Sequence, residues 1–277
     1  MDVLEGSPMM RSLLALAAAA WLAAGCATNP VTGRSQLMIV SESQAIAASR
    51  QAYVQMLAPL EKQGKVNEDP ALKARIDRIA ERLVAQAVKY RPETAHWDWE
   101  IKVIHDPKTV NAWAMAGGKM AIYTGLIDKL NASDDEIAQV LGHEIAHALS
   151  AHTAEKMSVA LASDLVVTGV AVASDRPQLA ATGAALAAAL AVQMPNSRTM
   201  EAEADRIGIE LAAKAGYNPR AALTLWDKMA KLGESRPPEF LSTHPSPETR
   251  RRALEALLPQ MLVYYQQPGP RPTHPVK

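Results

Sequence analysis

A single cysteine, Cys26, excludes any disulfide within the chain, whatever compartment it occupies. Basic and acidic residues are equal in number at 29 each, and aromatics make up only 4%. The composition therefore offers neither the positive surface nor the stacking platforms that a nucleic-acid partner needs. A bilayer-spanning helix needs about 20 consecutive apolar residues. The Ala-, Val- and Leu-rich run over 159–194 is interrupted by Asp164, Asp175 and Arg176, and the run from Leu13 to Ala24 is also too short. No repeat period is visible, which excludes a helical-repeat array. What remains is one sizeable domain with a near-balanced charge.

Against that background one stretch carries chemistry, His143-Glu144-Ile145-Ala146-His147. Positions four apart lie one above the other on a helix, so His143 and His147 can aim ring nitrogens at one metal ion. Glu144 sits about 100° further round, where it can take a proton from a water that the metal activates. This is the H-E-x-x-H arrangement of a zinc peptidase, with Glu144 as general base. Ser133 and Glu136 form a capping box, and Asp134 and Asp135 place negative charge in the first turn. The pattern predicts one helix from about Asp134 to about Met157.

Two imidazoles are one ligand short of a catalytic zinc site. A metzincin would place Gly and His where Ser150 and Thr153 stand, which excludes that class. Glu155 lies about 12 Å along the same helix from His147 and cannot close the sphere. A second helix must supply the ligand, and Ser197 to Gly208 is the best candidate. Glu201, Asp205, Gly208 and Ala212 share one face, whose small residues allow close helix approach. Glu201 is then placed to bind zinc, and Asp205 to orient a ligand histidine. Glu203 and Glu210 fall elsewhere and read as an exposed acidic face.

H-E-I-A-H followed by S-R-T-M-E-A-E-A-D resembles the gluzincin family of the HtpX-, BepA- and LoiP-type proteases and the CAAX prenyl endopeptidases, metallopeptidase family forty-eight. The resemblance covers roughly residues 30 to 255. It implies zinc held by His143, His147 and Glu201, with Glu144 as base and Asp205 as the aspartate of E-x-x-x-D. Asn111 to Gly118 resembles the family's N-A-F-A-x-P-G-G, with Ala116 where Pro is common, and Ser242 to Pro245 resembles its S-T-H-P. On this basis Asn111, Gly117, Gly118 and Arg250 are expected on the substrate side. His244 can stabilise an oxyanion, bind substrate, or occupy the open zinc position in a latent form.

Residues 1–25 read as a signal segment, and Leu22 to Cys26 resembles a bacterial lipobox that would make Cys26 the lipidated residue. Ala27 then points, by resemblance, to the periplasmic face of the outer membrane. Residues 26–40 read as a tether, 41–263 as the metallopeptidase domain and 264–277 as a Pro-rich disordered tail. Within the domain, Ser41 with Gln44 and Asp69 with Pro70 mark two helix starts. Trp97 to Val103 and Lys119 to Thr124 read as strands, the latter at an edge that could bind extended peptide or in the sheet interior. Residues 159–194 read as helices over the active site or a lid, with membrane contact as the lesser alternative. The expected fold is α+β and mainly helical, a zincin-like domain with a small sheet. The expected function is a zinc endopeptidase that cleaves misfolded or unassembled cell-envelope proteins. The alternative is a zinc-stabilised chaperone or assembly factor with latent proteolysis. Expected partners are polypeptide substrates and, through the lipid, a membrane, with no nucleic acid.

Overall fold

A computed structural model describes residues 26–173, 194–233, 240 and 247–277. The chain begins with an antiparallel hairpin of β1 (Cys26–Thr28) and β2 (Ser35–Leu37), with Cys26 opposite Leu37. Helix α1 (Glu42–Lys62) starts at the capping box of Ser41 and Gln44. Helix α2 (Pro70–Tyr90) starts at Asp69, whose carboxylate accepts from the N–H groups of Ala71 and Leu72. A 3-10 turn (Pro92–His96) then leads into the sheet.

The sheet has three strands, β3 (Glu100–Ile104), β4 (Ala112–Met115) and β5 (Lys119–Tyr123), in the order β3-β5-β4. β3 runs parallel to β5 and β4 antiparallel to it. Alternation along the strands divides two apolar faces. Ile101, Val103, Met120 and Ile122 meet α2 and the metal-site helices, whereas Ile104 and Ala121 meet Tyr53 and Leu57 of α1. β5 is thus the interior strand, and β4 takes the edge. After a short helix α3 (Thr124–Lys129) come α4 (Asp134–Leu149), α5 (His152–Ala173), α6 (Met194–Lys214), α7 (Ala221–Gly233) and α8 (Pro247–Tyr265).

Three expectations are corrected. The first is the helix expected to continue to Met157. It stops at Leu149, because Ala151 takes a left-handed φ of 54° and α5 sets off in a new direction. The freed carbonyls find partners: Leu149 O accepts from Arg91 Nη1 at 2.8 Å, and Ser150 O from Gln36 Nε2 at 2.9 Å and Asn29 Nδ2 at 3.3 Å. Helix-end carbonyls need such donors when buried.

The second is the tether at 26–40. The same bonds show it to be a docked hairpin, with Asn29 and Gln36 each only 2% exposed. The third is the disordered tail. Residues 266–277 are instead docked: His274 N donates to Glu81 O, and at the outer side of β3 Lys277 N donates to Trp99 O and Ile101 N to Lys277 O, all at 3.0 Å. An uncovered strand edge leaves main-chain groups unpaired; Lys277 pairs that of Ile101, while Asn67 and Lys65 pair those of Val103 and His105. The signal segment, 174–193 of the Ala-rich run, and His244 lie outside the described residues. No described helix is long and apolar enough to cross a membrane.

Candidate metal centre

The capping box expected at the start of α4 is present, with Ser133 Oγ accepting from Glu136 N and Glu136 Oε2 from Ser133 N. Thr224 and Lys228 of α7 also bond to Glu136, so the start of the helix is tied to its surroundings. Three turns on, the imidazoles of His143 and His147 emerge together, their Nε2 atoms 3.1 Å apart. Opposite them, Glu201 of α6 places Oε2 3.4 Å from His143 Nε2 and Oε1 3.2 Å from His147 Nε2. All three residues are buried.

These separations test the fit to zinc. Donors about 2.0 Å from a tetrahedral ion lie about 3.3 Å from one another. The 3.1 Å between the two imidazole nitrogens is close to that edge length, and Glu201 brings one carboxylate oxygen to each nitrogen, Oε1 3.2 Å from His147 and Oε2 3.4 Å from His143. Among the described residues, this is the one cluster of three or more His, Cys, Asp or Glu with converging ligand atoms. Two imidazoles and a carboxylate are a donor set that zinc accepts, with one position left open for chemistry.

The approach of α6 to α4 depends on two glycines. A Cβ on Gly208 would lie 2.7 Å from His143 N, and one on Gly142 would lie 2.8 Å from Gly208 O. The small face expected from the sequence therefore sets the distance at which Glu201 reaches the histidines.

Asp205, one turn beyond Glu201, holds the far side of His143, with Oδ1 3.1 Å from Nδ1. Arg250 of α8 braces both carboxylates. Its Nε and Nη2 donate to Asp205 at 2.7 and 2.6 Å, its Nη1 lies 2.9 Å from Glu201 Oε2, and its guanidinium sits 4.5 Å from the Trp226 ring centre. Arg250 was expected on the substrate side; it is instead buried behind the ligands, because two buried carboxylates need a cation beside them.

Burial opposes ionisation throughout the centre, and hydrogen bonds decide the outcome. Burial works against a charged His143, yet its bonds to Asp205 and Glu201 prevail and its pKa is raised. For His147 burial prevails, aided by the charges of His143 and His152, and its pKa falls well below the usual histidine value. Asp205 is held low against its burial by Arg250 and His143. A metal ion and a proton thus compete for the same donors, so metal affinity depends on pH.

Glu144 is buried and turned towards the sheet, where its Oε2 accepts from Ala114 N of β4 at 3.1 Å. The edge strand therefore runs beside the carboxylate next to the metal donors. Asn111 precedes β4 and is buried, its Oδ1 accepting from Ala112 N. Gly117 and Gly118 close the β4–β5 turn with φ of 81° each, and a Cβ would strike Ile46 at one and Trp99 at the other. Their surroundings account for both glycines as turn residues packed under side chains. Cys26 opens β1.

The sequence reading missed a second layer. His152, at the start of α5, is 1% exposed, and its Nδ1 lies 2.8 Å from His147 Nδ1. Its Nε2 lies 3.0 Å from Glu203 Oε2. Glu203, expected on an exposed face, also accepts from Thr32 Oγ1 at 2.6 Å and from Arg34 Nε at 3.0 Å. Despite its burial, those partners bring its pKa down to about 2. Arg34 reaches Glu155 as well, at 2.7 Å. The available signal was the third histidine, five residues past His147.

Comparison with known proteins agrees with this centre. The model of Peptidase family M48 matches residues 70–258. The mitochondrial metalloendopeptidase OMA1 of Bos taurus is 33% identical over 245 residues, which are 84% of this chain and 46% of that protein. A putative beta-barrel assembly-enhancing protease of Vibrio cholerae is 35% identical over 212 residues, 72% of this chain and 41% of that protein. Metalloprotease LoiP of Escherichia coli is 33% identical over 153 residues, 53% of this chain and 58% of that protein. The match thus spans 41–58% of the length of these relatives. The expected location at the periplasmic face of the outer membrane is overturned: well-covered relatives from cattle, human and yeast are mitochondrial, with bacterial proteins beside them. With the match over residues 70–258 and the converging His143, His147 and Glu201, the chain belongs to Peptidase family M48.

Proposed function

We propose that the chain is a zinc-dependent metalloendopeptidase that hydrolyses extended polypeptides laid along β4. The observation that carries this is the placement of Glu144, with one carboxylate oxygen on the edge-strand N–H of Ala114 and its helix turn shared with the two imidazoles. His143, His147 and Glu201 would hold zinc. When bound, zinc supplies a Lewis acid that polarises a carbonyl and lowers the pKa of water to about 7.

The residues around it carry the rest. The main-chain groups of β4 align a substrate strand by backbone hydrogen bonds, which favours extended conformation over particular side chains. Glu144 takes the proton of the attacking water and hands it to the leaving amine, acting first as base and then as acid. Asp205 and Arg250 hold His143 and Glu201 in place, so that these donors need not reorganise during the reaction. Low sequence demand suits misfolded or unassembled proteins as substrates. The name of the Vibrio cholerae relative, a putative beta-barrel assembly-enhancing protease, supports substrates among proteins undergoing beta-barrel assembly.

The test is casein hydrolysis by the full chain, with bound zinc quantified, beside Glu144→Gln. Wild type is expected to hold about one zinc and cleave, and the variant to hold zinc with a rate at least about a hundredfold lower, the lower range of a general-base contribution. If both hold zinc and neither cleaves, the chain is a zinc-stabilised binding protein and the peptidase reading fails.

A further inference from the structure

The reaction uses His143, Glu144, His147, Glu201, Asp205 and Arg250, which leaves the buried His152 and the half-buried Glu203, Arg34 and Thr32 without a role. These residues form one line. His147 Nδ1 meets His152 Nδ1 at 2.8 Å, His152 Nε2 meets Glu203 Oε2 at 3.0 Å, and Glu203 accepts from Thr32 and Arg34 of the N-terminal hairpin.

The protons along this line can be assigned from its far end. Glu203, bonded to Arg34 and Thr32, is a carboxylate and only accepts, so His152 Nε2 must donate. His152 is 1% exposed, and the carboxylate it meets, Glu203, is already paired with a guanidinium, as is nearby Glu155, so a neutral ring is favoured. A neutral imidazole with its proton on Nε2 has a lone pair on Nδ1. The 2.8 Å contact then requires His147 Nδ1 to donate, which places the lone pair of His147 on Nε2, the atom facing Glu201 and His143.

We infer that His152 is a positioning residue that fixes the tautomer and ring plane of His147 for zinc, and that the N-terminal hairpin holds His152 through Glu203. This rests on the reading of His147 as a zinc ligand. Zinc-ligating histidines ordinarily donate their second N–H to a carboxylate or carbonyl; His143 has Asp205 for this, and His147 has a second imidazole instead. The break at Ala151 has a purpose in this arrangement. A continuous helix would place residue 152 about 140° round from residue 147, five steps of about 100° each, and carry it away from the ring. The left-handed turn folds it back.

Zinc affinity of the full chain, measured by competition with a chelator of known affinity, tests this. His152→Leu keeps the volume and removes the acceptor; His152→Asn keeps an acceptor oxygen at the position of Nδ1. The Leu variant is expected to bind zinc about ten- to a hundredfold more weakly, the usual effect of losing such a partner, and Asn is expected to recover most of that loss. A packing role alone would favour Leu over Asn. Equal affinity of His152→Leu and wild type, or equal weakness of Leu and Asn, overturns the inference. His147→Ala is the control: if it retains wild-type affinity, the ligand assignment itself fails. Should the variants not fold, nitrogen-15 NMR of the zinc-loaded wild type decides. The expected spectrum has His152 neutral with its proton on Nε2 and His147 with its proton on Nδ1; a proton on His152 Nδ1 overturns the inference.

Discussion

Arg250 shows how much one side chain can hold. It neutralises Asp205 and Glu201 from behind and stacks over Trp226, while burial alone would weaken its charge. Removing one partner of a buried ionic cluster costs about 3–5 kcal/mol, because the remaining charges stay desolvated. Arg250→Met is therefore expected to lower the stability of the metal-free protein by about that amount, measured by urea denaturation in the presence of a chelator. Saturating zinc should recover part of the loss, since a cation then faces Glu201 from the other side. A loss below about 1 kcal/mol, the scale of an exposed pair, would show that Arg250 does not brace the carboxylates. Nothing in T-H-P-S-P-E-T-R reveals this, because the partners of Arg250 lie 45 and 49 residues away in sequence.

Among the elements, what could be read from sequence was local. Capping boxes at Ser41 and Ser133, the Asp69-Pro70 start, and the shared face of Glu201, Asp205 and Gly208 each depend on residues a turn apart. The break after Leu149 could not be read this way. A-L-S-A-H contains no glycine, and Ala151 is held in its costly conformation by distant groups: Arg91, Asn29 and Gln36 bond to the carbonyls of residues 149 and 150. For the same reason the hairpin looked like a tether. Its strands are three residues each, and its side-chain hydrogen bonds to the rest of the described chain run to α5, α6 and the end of α4. The helix pair at the metal yields a prediction of its own. In Gly208→Ala the new methyl meets backbone atoms of Gly142 and His143 below 3 Å, which only a separation of α4 and α6 can relieve. Overpacking of this kind costs about 1–3 kcal/mol. Both the thermal midpoint and zinc affinity should fall together, because the same displacement moves Glu201 from the histidines. A variant that loses stability but keeps zinc affinity would mean that the helix spacing does not set the ligand distances.

Over the whole molecule, both ends of the described chain are docked on the fold. The hairpin bonds to the end of α4 and to α5 and α6, while the tail's Lys277 pairs with Ile101 of β3 and reaches Asp98 at 2.6 Å. Asp98 also accepts from Lys119, a buried lysine shared with Glu100, so strand, tail and β5 meet at one carboxylate. Its hydrogen bonds to Lys119 and then Lys277 lower its pKa to about 2. A folded value below the unfolded one means that the folded state binds fewer protons, so this contribution is complete above about pH 4, the range of a free aspartate. It declines as pH falls and is lost on passing through about 2. Wild type and Asp98→Asn should therefore differ in stability by a constant amount from neutrality down to about pH 4, and the difference should shrink as acid is added below that. Urea denaturation of both proteins across this range measures it. Asp98 is partly exposed, so salt should reduce the difference at every pH. A gap that persists undiminished at the acid end would place the effect in the packing of residue 98 and not in its charge, and the tail would then be held by its other bonds, those of Lys277 to Trp99 and Ile101, of His274 N to Glu81 O and of Arg271 to Lys214 O.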